Sequence, residues 1–176
     1  CLEFVQENGD TGCNVIVKSD QEISMAYLIK ELVAERIVGK TILEESPVKS
    51  SGSNGIVERG VQEIENRIRS IFIGLQERLG TDIDCRERIV AFILEYAAYL
   101  ANRLCEGSDG KVPYQRIKGK RPSVLGIEFG EKLLYKLPQG DKKEKLKARW
   151  AHGVFVGVKR RSNEFMISTA EGIHHV

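Results

Sequence analysis

Apolar positions at helical spacing dominate the middle of the chain. Val57, Val61, Ile64, Ile68, Ile71, Leu75 and Leu79 recur at steps of mostly four and three, predicting one long amphipathic helix that Gly80 ends. A second stripe, Cys85, Ile89, Phe92, Ile93, Tyr96, Leu100 and Leu104, predicts a helix over about 84–104. A third, Met25, Leu28, Ile29, Leu32 and Val33, predicts one over about 21–37, stopped by Gly39. Two short runs flank the third stripe, NVIVK at 14–18 and KTIL at 40–43, and both read as strands. Residues 2–7 read as the tail of a helix that Asn8, Gly9 and Asp10 terminate.

Beyond Cys105 the pattern shortens. Residues 107–121 are rich in Gly, Lys, Arg and Pro and read as a linker. EKLLYKL, GVFVGVK and EFMIS then predict short strands parted by turns, as in a small β barrel or curled sheet, with DKKEKLKAR as an exposed basic turn. The expected layout is therefore a first domain over 1–106, a linker over 107–121 and a small basic β domain over 122–176.

With 176 residues, 41% hydrophobic and 30% charged, the chain has the composition of a soluble globular protein with one ordinary core. No apolar run approaches the roughly 18 residues of a membrane span, so no membrane partner is expected. The opening Cys1-Leu2-Glu3-Phe4, with no initiator Met, reads as part of something longer. Cysteines at 1, 13, 85 and 105 form no CxxC pair, which favours a reduced intracellular setting over a zinc site. The net charge of +2 hides a split: residues 1–110 hold 12 Lys and Arg against 19 Asp and Glu, a balance of −7, and residues 111–176 hold 15 against 6, a balance of +9. Such a basic end suits a nucleic-acid-facing segment, with a solvated basic surface as the lesser alternative.

Two acids are placed for chemistry. Asp20 follows the first predicted strand, and Glu58 stands in the first turn of the longest helix, behind a polar loop over 46–55 that contains Gly52, Asn54 and Gly55. Phosphoryl transfer with two Mg²⁺ or Mn²⁺ ions needs oxygen ligands held on rigid elements. The plain structural alternative is a capping box of Ser19 with Glu22, with Asp20 a first-turn acid and Glu58 a complement to the helix macrodipole after an Asn54 cap.

The stretch SPVKSSGSNGIVER resembles the segment by which integrases of long-terminal-repeat retrotransposons, especially the copia type, present their final catalytic Glu. VIVKSDQE is similar to the strand and Asp of their second acid. YLANRL with VPYQRIKGKRP, then LGIEFGEKLLYKLP and GVFVGV, look like the family's downstream helix and trailing β domain, in the same order. The resemblance implies an α/β RNase H-like integrase core, a partial mixed sheet with flanking helices, followed by a small β-barrel-like basic domain. It also implies DNA integration within a Pol polyprotein: ends of the element are trimmed with water, and the 3′-hydroxyl is then joined to target DNA.

Carried over residue by residue, Asp20 and Glu58 become the second and third acids and ligands of a two-metal Mg²⁺ or Mn²⁺ site. The family's first Asp lies on an earlier strand with no counterpart here, so the expected catalyst is incomplete. Gln21-Glu22 replaces the family's usual Asn-Gly, Ser51-Gly52-Ser53 replaces Pro-Gln-Gln, and Gln62 and Glu65 stand where retroviral relatives place bases. Expected DNA contacts are Lys18, Lys49, Asn54, Arg59, Lys142, Lys143, Lys145, Lys147 and Arg149, with Lys18 and Arg59 equally readable as surface ion-pair partners. Trp150 reads as barrel core ahead of a base-stacking role, and the histidines carry none. The implied partners are element-end and target DNA and further copies of the chain, in the nucleus or a cytoplasmic virus-like particle. A non-catalytic or decayed fragment that binds DNA through its basic domain is the alternative, and a dimerisation unit built on the long helices is a third.

Overall fold

The stripes and short runs become five helices and two separate sheets in a computed structural model, which describes residues 2–19, 22–45, 55–137 and 148–176. The chain is thus mixed α/β with a small antiparallel sheet. It clusters into two compact units, 1–62 and 63–176. No helix among the described residues is long and apolar enough to cross a membrane.

The first unit holds α1 (Leu2–Glu7), β1 (Val15–Ser19), α2 (Ile23–Glu35), β2 (Thr41–Glu45) and the first turns of α3 (Gly55–Leu79). β1 and β2 pair in parallel from Val15 opposite Thr41 to Ser19 opposite Glu45, with α2 as the crossover that parallel pairing requires. Arg36, just past α2, anchors the crossover by donating to the Cys13 carbonyl at 2.8 Å and the Thr41 hydroxyl at 3.2 Å. Gly39 makes the return possible: its φ is +81°, and a Cβ there would lie 2.3 Å from the Cys13 carbonyl oxygen.

The expected capping box is not formed. Ser19 belongs to β1, α2 starts at Ile23, and Glu22 is its N-cap without a side-chain cap hydrogen bond. With α2 starting at Ile23, Ser19 lies three residues before the N-cap position, too far to cap the helix.

The second unit contains the rest of α3 with α4 (Ile89–Leu104), α5 (Pro113–Lys118) and a meander of β3 (Lys132–Lys136), β4 (Trp150–Val158), β5 (Phe165–Thr169) and β6 (Gly172–His175). All three strand pairs are antiparallel, in the order β3-β4-β5-β6. The sheet curls enough to bring the rings of Tyr135 on β3 and His174 on β6 to 5.6 Å, but among the described residues β3 and β6 do not pair and the sheet stays open.

Its core joins Leu75 of α3 and Ile93 and Tyr96 of α4 to Phe129, Tyr135, Phe155, Val156, Val158, Met166 and Ile167. A register shift between Phe155 and Gly157 lets β4 bury consecutive residues from Phe155 to Val158. This shared core divides the chain differently from the expected layout: residues 63–104 pack with the β sheet, and the sheet over 122–176 is not separate from them.

Residues 107–121, expected to be a linker, carry α5. Pro113 opens that helix, where its missing N–H costs nothing, and Gly119 closes it at φ +70°. Arg103 stacks on Tyr99 at 3.8 Å and Tyr114 at 4.6 Å and donates to Asn163 Oδ1 at 2.9 Å, fixing α5 and the β4–β5 turn to α4. α4 itself starts at Ile89, five residues later than its stripe predicts, because Asp84 forms a turn instead: its carboxylate accepts the Arg86 N–H at 2.8 Å and its carbonyl the Glu87 N–H at 3.0 Å.

Candidate functional site

Parallel pairing sends both strands of the first unit out at the same edge. Ser19 and Glu45 are opposite each other at the last register position, so the described parts of both strands end together at the carboxyl edge of the sheet. Ligands of open α/β sheets gather outside that edge. Glu58 follows in the first turn of α3 and is exposed. Asp20, Lys49 and Asn54 lie outside the described residues, as do Lys142, Lys143, Lys145 and Lys147.

The described neighbours of the edge are charged. Lys18 Nζ lies 3.4 Å from Glu44 Oε1, its direct cross-strand partner in the register, with both side chains about half exposed. A pair this open contributes at most about 1 kcal/mol, so a phosphate can compete for Lys18. Arg59, next to Glu58, is exposed. Glu44 and Glu45 went unremarked in the sequence, although an acidic pair after a strand was visible there; only the parallel register shows that they stand opposite Lys18 and Ser19. Among the described residues, no three His, Cys, Asp or Glu side chains form a group able to hold a metal ion.

The second unit offers a different surface. Along β3 and β4, Lys132, Leu134 and Lys136 stand opposite Val154, His152 and Trp150, and directly opposed residues share a face. Lys132, Leu134, Lys136, Trp150 and His152 are all exposed, and Trp150 keeps 56% of its surface. The expectation of Trp150 as barrel core is therefore overturned: in the alternation of β4 it falls on the outer face, two residues from His152 and three from buried Gly153. Arg149, exposed, precedes it, and its carbonyl accepts the Leu137 N–H at 2.9 Å. Lys132 and Lys136 were missed because nothing local singles out a Lys in a short apolar run; the pairing with β4 places Lys136 directly opposite Trp150 and Lys132 opposite Val154.

No protein-family model matches the chain, and no curated protein matches it either.

Proposed function

We propose that the chain is part of an RNase H-like integrase core that joins DNA ends, with Asp20 and Glu58 as ligands of a Mg²⁺ or Mn²⁺ site and Lys18, Lys49, Asn54 and Arg59 as its DNA-facing neighbours. The observation that carries this reading is the parallel β1-α2-β2 unit: β1 leads into Asp20, and β2 leads through the polar segment to the helix whose first turn bears Glu58. The donor set fits the ion, since carboxylate oxygens are what Mg²⁺ and Mn²⁺ prefer. Bound there, the ions would activate the attacking oxygen and stabilise the leaving one. The side chains' part is to hold the ions and the DNA backbone in line. Exposed apolar side chains support a unit that packs against further structure carrying the remaining acid: Ile16, Ile42 and Leu43 on the two strands are 63%, 41% and 52% exposed. The full protein would act as a homo-oligomer on element-end and target DNA, in the nucleus or a virus-like particle.

A second reading, DNA binding without catalysis, is favoured by the exposed Trp150 between Lys136 and Arg149, a combination of stacking ring and cations that suits an unpaired strand. Lys142, Lys143, Lys145 and Lys147 would add phosphate contacts in this reading.

One set of titrations separates the two. Mn²⁺ binding followed by calorimetry should weaken at least tenfold in Asp20→Asn and in Glu58→Gln, and unchanged affinity in both removes the metal site. Single-stranded DNA affinity should fall about tenfold in Trp150→Ala, the loss of one stacked base at ~1–3 kcal/mol. Full retention of DNA affinity in that variant removes the second reading.

A further inference from the structure

Within the second unit, the C-terminal end of α3, the turn that follows it and the sheet enclose an open groove of about 380 Å³. Its floor is apolar, formed by Leu75, Leu79, Ile83, Ile89, Phe129 and Val154. Its rim is acidic: Asp82, Asp84 and Glu87 line it, and no Lys or Arg does. Lys132 stands opposite the lining residue Val154 on β3 but is not itself part of the lining. Arg78 is ion-paired with Glu128, and Arg86 and Arg88, from the same turn as the acids, are not part of the lining.

Two features show that the groove is built by the fold and is not a loose gap. Leu75 is 4% exposed and belongs to the main core. Gly130 has φ +81°, donates its N–H to the Phe155 carbonyl at 2.8 Å, and approaches so closely that a Cβ there would lie 2.4 Å from Leu75 Cδ1. Among the apolar lining residues, Leu79 is the exposed one, at 55%.

We propose that this groove docks a partner polypeptide segment that presents a bulky apolar side chain flanked by lysine or arginine. The apolar anchor fills the floor, and the flanking cations meet Asp82, Asp84 and Glu87. The carboxylates supply the specificity: an anchor with acidic flanks would bring like charges together at the rim, a repulsive element that works against the wrong partner. The site is independent of the acids of the first unit, so its failure would leave the metal-site reading untouched.

The test uses the full 176-residue chain and a fluorescein-labelled dodecapeptide with a central Leu-Phe pair between two Lys-Lys flanks. Anisotropy should report saturable binding that weakens at least tenfold in Leu79→Glu, and by a similar factor in the double variant Asp82→Asn with Glu87→Gln. Peptides with Ser-Ser at the centre or Glu at the flanks should not bind. Amide resonances at 75–89, 129–130 and 154 should move on titration, which separates docking in the groove from diffuse attraction of a basic peptide to the acidic half of the chain. The proposal is overturned if those resonances stay still, if the rim variant binds as wild type does, or if a small apolar dye fills the groove while the peptide does not. Leu79, Asp82 and Glu87 are exposed, so circular dichroism of the variants should match wild type.

Discussion

At the scale of single residues, exposure decides what each charged or reactive group does. Cys105 is half-buried beside Glu63 and Arg67, and its Sγ donates to Glu63 Oε1 at 2.8 Å. Burial first, and then that hydrogen bond, push the thiol above its ordinary range, while the thiol and then Arg67 hold the Glu63 carboxyl below its own. Cys105 is therefore a poor nucleophile, unlike a reactive thiol set among cations alone. Asp109 is the opposite case, a solvent-facing acid shaped by its partners. The Arg116 guanidinium, at 2.6 Å, and the Lys111 backbone N–H hold its carboxyl down to about 2. A folded-state value below the unfolded one of about 3.9 means that the contribution is present above the unfolded value and is lost as pH falls through the folded one. A carbon-detected NMR titration should place the Asp109 midpoint near 2, and Arg116→Ala should return it towards the ordinary carboxylate range. An unchanged midpoint in that variant would show that the guanidinium is not the cause.

At the scale of elements, periodicity read from the sequence finds faces, and only packing assigns their partners. The stripes of α3 and α4 were legible because Ile, Leu, Phe and Tyr recur every three or four residues, and the end of α3 was marked by Gly80. What the stripes do not carry is the identity of the opposing surface. Ile93 and Tyr96 meet Phe155 and Phe129 of the β segment, more than thirty residues away, so the shared core crosses a stretch whose Gly and Pro read as a linker. The Tyr96 hydroxyl donates to the Ile127 carbonyl at 3.0 Å and secures that approach. β6 was hidden because GIHH has neither a β-branched run nor strict alternation; it exists because Met166 through Thr169 offer it a partner edge. In the first unit, the order of strand, helix and strand was legible, but the shared carboxyl edge of the two strands was not. It follows from a parallel register that no local pattern encodes, and the Lys18–Glu44 pair follows from the same register. Gly153 shows how specific such packing is: a Cβ there would lie 2.2 Å from the Ile167 methyl, at the centre of the core, so the sequence's small residue is a consequence of strand-to-core distance.

At the scale of the whole molecule, stability is distributed unevenly between the units. Of the thirteen buried core residues among those described, only Ile29 belongs to the first unit, and the other twelve belong to the second. The first unit's sheet has two strands, below the three or more that an independently stable sheet needs unless packing compensates. Its helix α2 leaves Ile23 and Tyr27 67% or more exposed, so little packing is available to compensate. Local opening follows buried apolar contact, and the first unit should therefore open without the second. Native-state hydrogen exchange should find the β1 and β2 amides exchanging through sub-global opening, at least a hundredfold faster than the most protected amides of α4, β4 and β5, a gap of about 2.7 kcal/mol. Low denaturant should accelerate the slow set more steeply than the fast set, because global unfolding exposes more surface than opening of the first unit alone. Equal protection across both units, with equal sensitivity to denaturant, would mean that the chain unfolds as one cooperative body and that the first unit draws its stability from something other than its own burial. The uneven case fits the proposed integrase reading, in which the first unit would become rigid on being covered by further structure or DNA, and protection of β1 and β2 on adding DNA would be the most direct sign in favour of that proposal.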